Sequence, residues 1–228
     1  MKNWFYHLFN VIYPVSCMGC EYVLGTGESV LCTTCRAQLP LAVHDLKNNN
    51  QVKELFYARV PIEAATSLFY YEKIGTVQSM IHNLKYKRQE HVGEMLGKWL
   101  GYELTQNADF NTIDLVIPVP IHDTRRRSRG YNQVTKFGEE LAGCLGVRFR
   151  ESVLIKKRNT VTQAKLNQTD RIKETNSPYE LNEEITAGTH ILLVDDVITT
   201  GTTLAMCVRE LQKIPDVRIS IATMAVSV

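Results

Sequence analysis

Residues 194–203 read V-D-D-V-I-T-T-G-T-T. Two adjacent carboxylates, Asp195 and Asp196, precede four threonine hydroxyls set around Gly201, and the apolar run Ile191, Leu192, Leu193, Val194 stands before them. An ionised carboxylate only accepts hydrogen bonds, which suits the vicinal hydroxyls of a sugar. Glycine lets the backbone approach a ligand closely. A helix start offers unpaired N–H groups and the positive end of its dipole, which together hold a phosphate. Acids for hydroxyls and a helix N-terminus for an anion describe a site for a phosphorylated ribose. The bland alternative is a capped helix after a strand, but capping needs one Ser, Thr or Asp rather than two acids and four threonines. A Walker loop is excluded, because no G-K-[ST] occurs in the chain.

A second cluster is basic. After Pro118 and Pro120 come His122, then Arg125, Arg126, Arg127 and Arg129, followed by Gly130, Tyr131, Asn132 and Gln133. Arginine forks match phosphate oxygens, and their charge can stabilise a departing pyrophosphate. A solvated basic loop or a nucleic-acid contact is the competing account. His122 reads as a turn histidine, and Lys85, Lys87 and Arg88 as a solvated corner with a phosphate role as the alternative. Residues 156–171 are rich in basic and amide groups with little apolar text. They read as a hood over the site or as a long surface loop.

The third cluster is Cys17-x2-Cys20 and Cys32-x2-Cys35, two C-x2-C pairs eleven residues apart. Two such knuckles complete a tetrahedral thiolate shell for Zn2+. Disulfides or a redox pair are the alternatives, but disulfides need an oxidising compartment and a redox C-x-x-C comes singly. Cys144 and Cys207 fall on or beside helix stripes and read as core residues.

An alternation of strands and helices must position these groups. Strands are expected near residues 65–71, 115–118, 153–155, 191–194 and 219–226. Helical spacing recurs in Val77, Met80, Ile81, Leu84; in Val92, Met95, Leu96, Trp99, Leu100; in Val134, Phe137, Leu141, Leu145; and in Leu204, Cys207, Val208, Leu211, Ile214. Alternating β and α elements imply a largely parallel sheet covered on both faces, with ligands beyond the carboxyl ends of its strands. A chain of 228 residues suits one core domain with a small appendage. The polar stretch at 46–51 reads as a loop or linker, and we divide the chain into a zinc module with linker, 1–55, and a main domain, 56–228. Residues 1–13 are apolar but interrupted, which favours a short helix packed on the knuckle over a signal peptide. No apolar run approaches the roughly 18 residues that cross a bilayer. A composition of 44% apolar and 22% charged residues is that of a globular chain, and 26 basic against 24 acidic residues confine any polyanion site to one locality. A cytoplasmic location is expected.

The decade at 194–203 resembles the phosphoribosyl pyrophosphate (PRPP) signature of type I phosphoribosyltransferases. The series of four-cysteine knuckle, P-x-P with R-G-Y-N-Q at 129–133, a looser T-x-x-Q at 160–163, and V-D-D-V-x-T-T-G-T-T resembles the ComF family, phosphoribosyltransferase-like proteins associated with DNA uptake in competence. The resemblance implies the type I phosphoribosyltransferase fold over most of the chain. It implies that Asp195 and Asp196 contact the ribose 2′- and 3′-hydroxyls, and that Val197, Thr199, Thr200, Gly201, Thr202 and Thr203 complete the PRPP site. Arg125, Arg126, Arg127 and Arg129 would take the pyrophosphate, with Asp195, Asp196 and Arg129 as catalytic candidates. Mg2+ would arrive with PRPP, and Cys17, Cys20, Cys32 and Cys35 would hold Zn2+. Purine-salvage relatives carry an aspartate where this chain has Thr199, which argues against hypoxanthine or guanine as acceptor. The expected activity is transfer of phosphoribosyl to a nitrogenous acceptor. The alternative is a non-catalytic protein binding PRPP or single-stranded DNA, its zinc module docking a DNA-uptake partner.

Overall fold

The computed structural model describes residues 14–43, 50–157 and 177–227. Residues 1–13, most of the expected hood and the T-x-x-Q element lie outside the described residues. In chain order the elements are α1 (Thr33–Ala37), α2 (Gln51–Glu54), β1 (Ala65–Tyr70), α3 (Thr76–Tyr86), α4 (Glu90–Thr105), β2 (Leu115–Pro118), α5 (Asp123–Arg129), α6 (Thr135–Leu145), β3 (Arg148–Phe149), β4 (Leu154–Lys156), β5 (Tyr179–Leu181), β6 (His190–Ile198), α7 (Thr202–Leu211) and β7 (Arg218–Val226).

Five strands form one parallel sheet in the order β1-β7-β6-β2-β3. Runs such as Ile191 to Val194 are apolar on both sides because both faces are covered. One face packs on α3, α4 and α6, where Leu84, Leu96 and Phe137 meet Leu192 and Val194. On the other face Leu204, Cys207 and Leu211 of α7 join Ile191, Leu193 and Ile221. Helices α4 and α6 touch closely, and a Cβ added at Gly97 would lie 2.6 Å from the Phe137 carbonyl oxygen.

The cysteine knuckle is joined to this body. Cys17, Cys35, Val30, Leu31 and Leu39 are buried in the same core as Leu68, Phe69 and Leu84. Asn83 Nδ2 donates to the Met18 carbonyl at 3.0 Å. Beyond the knuckle the chain runs along β1. Leu41 pairs antiparallel with Phe69, the Ala42 N–H donates to the Leu68 carbonyl at 2.9 Å, and the Tyr70 N–H to the Pro40 carbonyl at 2.8 Å.

Several expectations are revised. The arginine stretch is a short helix, α5, rather than a loop; Gly130 ends it with φ +87°. The strand near 153–155 stays out of the parallel sheet and pairs antiparallel with β5 in a separate ribbon. Val52 and Phe56, beside the expected linker, are buried. Cys207 is a core residue as expected, whereas Cys144 is exposed. Among the described residues no helix is long and apolar enough to cross a membrane.

Candidate functional site

The acid pair lies within a strand. β6 continues through Ile198 beside β7, with Asp195 opposite Thr223, while its pairing with β2 ends at Pro118 and Val194. Successive side chains on a strand point to opposite faces. Asp196 therefore follows Leu192 and Val194 toward α3 and α6, and Asp195 follows Ile191 and Leu193 toward α7 and the ribbon. Asp196 is buried. Its Oδ1 accepts from Lys85 Nζ at 2.9 Å and its Oδ2 from Gln133 Nε2 at 2.7 Å. Burial pushes the Asp195 carboxyl up to about 8, and the neighbouring Asp196 charge adds to the effect. The Asp196 N–H, donating to Asp195 Oδ1 at 2.8 Å, and the Lys85 and Lys156 charges work the other way.

After β6 the chain turns through exposed Thr199 and Thr200 into Gly201, which has φ +70°, and then α7. Only glycine adopts that backbone without strain, and a Cβ there would also meet the Phe56 ring at 3.3 Å. Gly201 gives α7 no side-chain cap, the Thr202 N–H reaches Thr200 Oγ1 only at 3.5 Å, and the Thr202 and Thr203 side chains are exposed. Thr200 and Thr202 hydroxyls share a hydrogen bond of 2.9 Å. Exposed threonines at the positive end of a helix can receive an anion. The turn is braced from behind by Phe56 and by Arg59, whose NH1 donates to the Thr200 carbonyl at 2.6 Å.

Of the basic groups, Arg125, Arg126 and Arg127 lie exposed on α5, with Arg126 3.4 Å from Glu151. Arg129 is partly buried. It donates to Gln133 Oε1 at 2.5 Å and its guanidinium lies 5.3 Å from the Tyr86 ring centroid. His122 caps α5, its ring Nδ1 accepting from the Thr124 N–H at 3.2 Å. The structure thus brings Arg129 to the acids through Gln133, while Arg125 and Arg127 face outward. A cavity of about 250 Å³ between α5 and the ribbon is lined in part by Arg126, Asn132 and Lys156. Tyr179 of the ribbon is buried, which pushes its phenol up to about 12. Sequence reasoning missed Lys85 as a partner of Asp196, and gave no role to Phe56 or Arg59. Only the interruption of the helical pattern by Lys85 pointed toward it.

The four cysteines of the knuckle converge. Their Sγ atoms all lie within 4.8 Å of one another, and Cys20 and Cys32 are 3.7 Å apart. Zinc–sulfur bonds of about 2.3 Å at tetrahedral angles place sulfurs about 3.8 Å apart, so the cluster is compatible with Zn2+. Burial raises the Cys17 thiol, but N–H donors outweigh it and bring it down to about 7; among them are Gly19 at 3.4 Å and Cys32 at 3.3 Å. Burial pushes Cys35 up to about 12.

A parallel sheet of this order, with an acid pair on its central strand and a glycine turn into the next helix, is a type I phosphoribosyltransferase fold carrying an N-terminal four-cysteine cluster. The phosphoribosyl transferase domain family matches residues 131–225. DNA utilization protein YhgH of Salmonella typhimurium is 29% identical over 129 residues, covering 55% of this chain and 56% of that protein. Its Escherichia coli O6:H1 counterpart is 30% identical over the same coverage. Competence protein F of Haemophilus influenzae is 27% identical over 146 residues, 62% of this chain and 64% of that one. The matched domain and these relatives support placing the chain with the ComF family. It spans about half the length of the YhgH relatives it matches. Among solved structures, an adenine phosphoribosyltransferase has a TM-score of 0.40 at 19% identity, covering 62% of this chain and 73% of that one.

Proposed function

We propose that the β6–α7 junction binds PRPP together with Mg2+, and that the protein transfers the phosphoribosyl group to a nitrogenous acceptor. The observation that carries this is the turn through Gly201 into the start of α7, with the exposed Thr199, Thr200, Thr202 and Thr203 side chains, following the acid pair on β6. In this reading the 5′-phosphate rests on Thr199 to Thr203, and the acid pair governs the ribose hydroxyls. Displacement of pyrophosphate from C1 by nitrogen passes through an oxocarbenium-like transition state, so the protein must chiefly orient the sugar and neutralise the leaving group. Arg125, Arg126, Arg127 and Arg129 are the cations we assign to the pyrophosphate. Bound Mg2+ would supply further neutralisation of pyrophosphate charge. We assign a structural Zn2+ to Cys17, Cys20, Cys32 and Cys35 on the sulfur spacing. The names of the relatives support a place in DNA use or competence.

Calorimetry with PRPP and Mg2+ tests the reading. The wild type is expected to bind, and Asp195→Asn/Asp196→Asn to bind at least about tenfold more weakly, or about 1.4 kcal/mol. A wild type that does not bind PRPP overturns the proposal. Binding without pyrophosphate release across a panel of nitrogenous bases would leave a PRPP-binding protein and remove the transferase.

A further inference from the structure

The segment 129–133 has a use for each of its side chains. Tyr131 Oη donates to the Leu84 carbonyl. Asn132 Nδ2 donates to the Val119 carbonyl at 3.1 Å, and its Oδ1 accepts the Val134 N–H at 3.3 Å. Gln133 gives its amide N–H to Asp196 and accepts from Arg129, which fixes the amide's orientation by satisfying both ends. Arg129 also lies over Tyr86. Three consecutive residues at the end of α3, Leu84, Lys85 and Tyr86, therefore meet either this segment or Asp196 itself. Asp196 is held at once from α3 and from the turn that leads into α6, with 9% of its side chain exposed against 22% for Lys85. Asp195, on the opposite face of the strand, has no such clamp among the described residues; its carboxylate accepts from the next backbone N–H.

We infer that Lys85 and Gln133 are positioning residues: they clamp Asp196, leave Asp195 as the carboxylate that meets a ligand hydroxyl directly, and join Arg129 to the acid pair through the Gln133 amide. The inference rests on the phosphoribosyl reading above and adds a division of labour within it. Asp196 anchors this stretch of β6, and a disturbance at Arg129 reaches the sugar side through one neutral side chain that is bonded at both ends. Lone carboxylates facing each other across a sugar would need no lysine from α3. A partly buried ion pair is costly to desolvate, so its placement at the junction of the two motifs calls for a role beyond stability.

Three nested probes separate this role from a general loss of structure. Inorganic phosphate reports on the helix end alone, ribose 5-phosphate adds the hydroxyls, and PRPP with Mg2+ adds the pyrophosphate. Lys85→Met is expected to leave phosphate affinity within about twofold and to weaken ribose 5-phosphate and PRPP by about tenfold, the scale of one charge-assisted hydrogen bond. Lys85→Arg should restore most of the loss. Gln133→Leu should weaken PRPP more than ribose 5-phosphate, because it also cuts the link to Arg129; it carries the test if Lys85→Met does not fold. Undiminished ribose 5-phosphate and PRPP binding by a folded Lys85→Met protein overturns the inference alone, as does an equal loss for all three probes. A wild type that binds neither sugar ligand overturns the phosphoribosyl reading and this inference together.

Discussion

The surroundings of Asp195 disfavour its charged form, and this sets a pH dependence. An acid whose folded pKa stands near 8, well above its ordinary value of 3.8, holds its proton in the folded chain over a range where the unfolded chain has released it. Stability should therefore fall as pH rises from about 4 toward about 8, and level off above. Asp195→Asn removes the titration at nearly constant volume. Its gain over the wild type in urea denaturation should be larger at pH 8 than at pH 5, by on the order of 2 kcal/mol; an equal effect at both pH values would refute it. The acids, threonines and glycine were legible as a group because they are contiguous and their chemistry is joint. Lys85 was not, because 111 residues separate it from Asp196 and a long-range ion pair leaves no local pattern.

At the scale of elements, the close packing of α4 on α6 makes an unusual demand on a glycine. Alanine is the better helix former by roughly 1 kcal/mol, yet at Gly97 its Cβ would stand 2.6 Å from the Phe137 carbonyl oxygen and 2.7 Å from Glu140 Cβ. Backbone cannot yield as a flexible side chain does, so Gly97→Ala should destabilise by about 1–3 kcal/mol. A methyl group at Gly143 on α6 would meet nothing within 4 Å, and Gly143→Ala should stabilise by up to about 1 kcal/mol. Thermal melts of the two variants should shift in opposite directions; a shared direction would refute the packing account. The long elements were readable from apolar spacing: α3, α4, α6, α7 and the buried strands all lie where the pattern places them. The short ones were not. Seven residues of α5, five of them Arg or Ser, show no apolar stripe, and three-residue strands such as β4 and β5 carry too little pattern to reveal which sheet they join.

For the molecule as a whole, the knuckle is continuous with the main core, so its metal should stabilise more than itself. Cys17 and Cys35 share that core with Leu68 and Phe69, and Asn83 ties α3 to the Met18 carbonyl. Metal analysis should find about one zinc per chain, and a chelator should lower the melting temperature by about 10 °C or more within a single transition. A separate early transition, or a metal-free folded protein, would contradict this. The same continuity governs the border of the sheet. β1, with the sequence A-T-S-L-F-Y, has neither charge nor proline, and its outer side is met by the strand of chain running from Pro40 to Ala42. Such a segment left bare would template pairing with another copy of itself. The residues that follow the knuckle thus serve as a guard against aggregation, and trimming the chain back to its phosphoribosyltransferase-like body would trade a zinc module for a sticky edge.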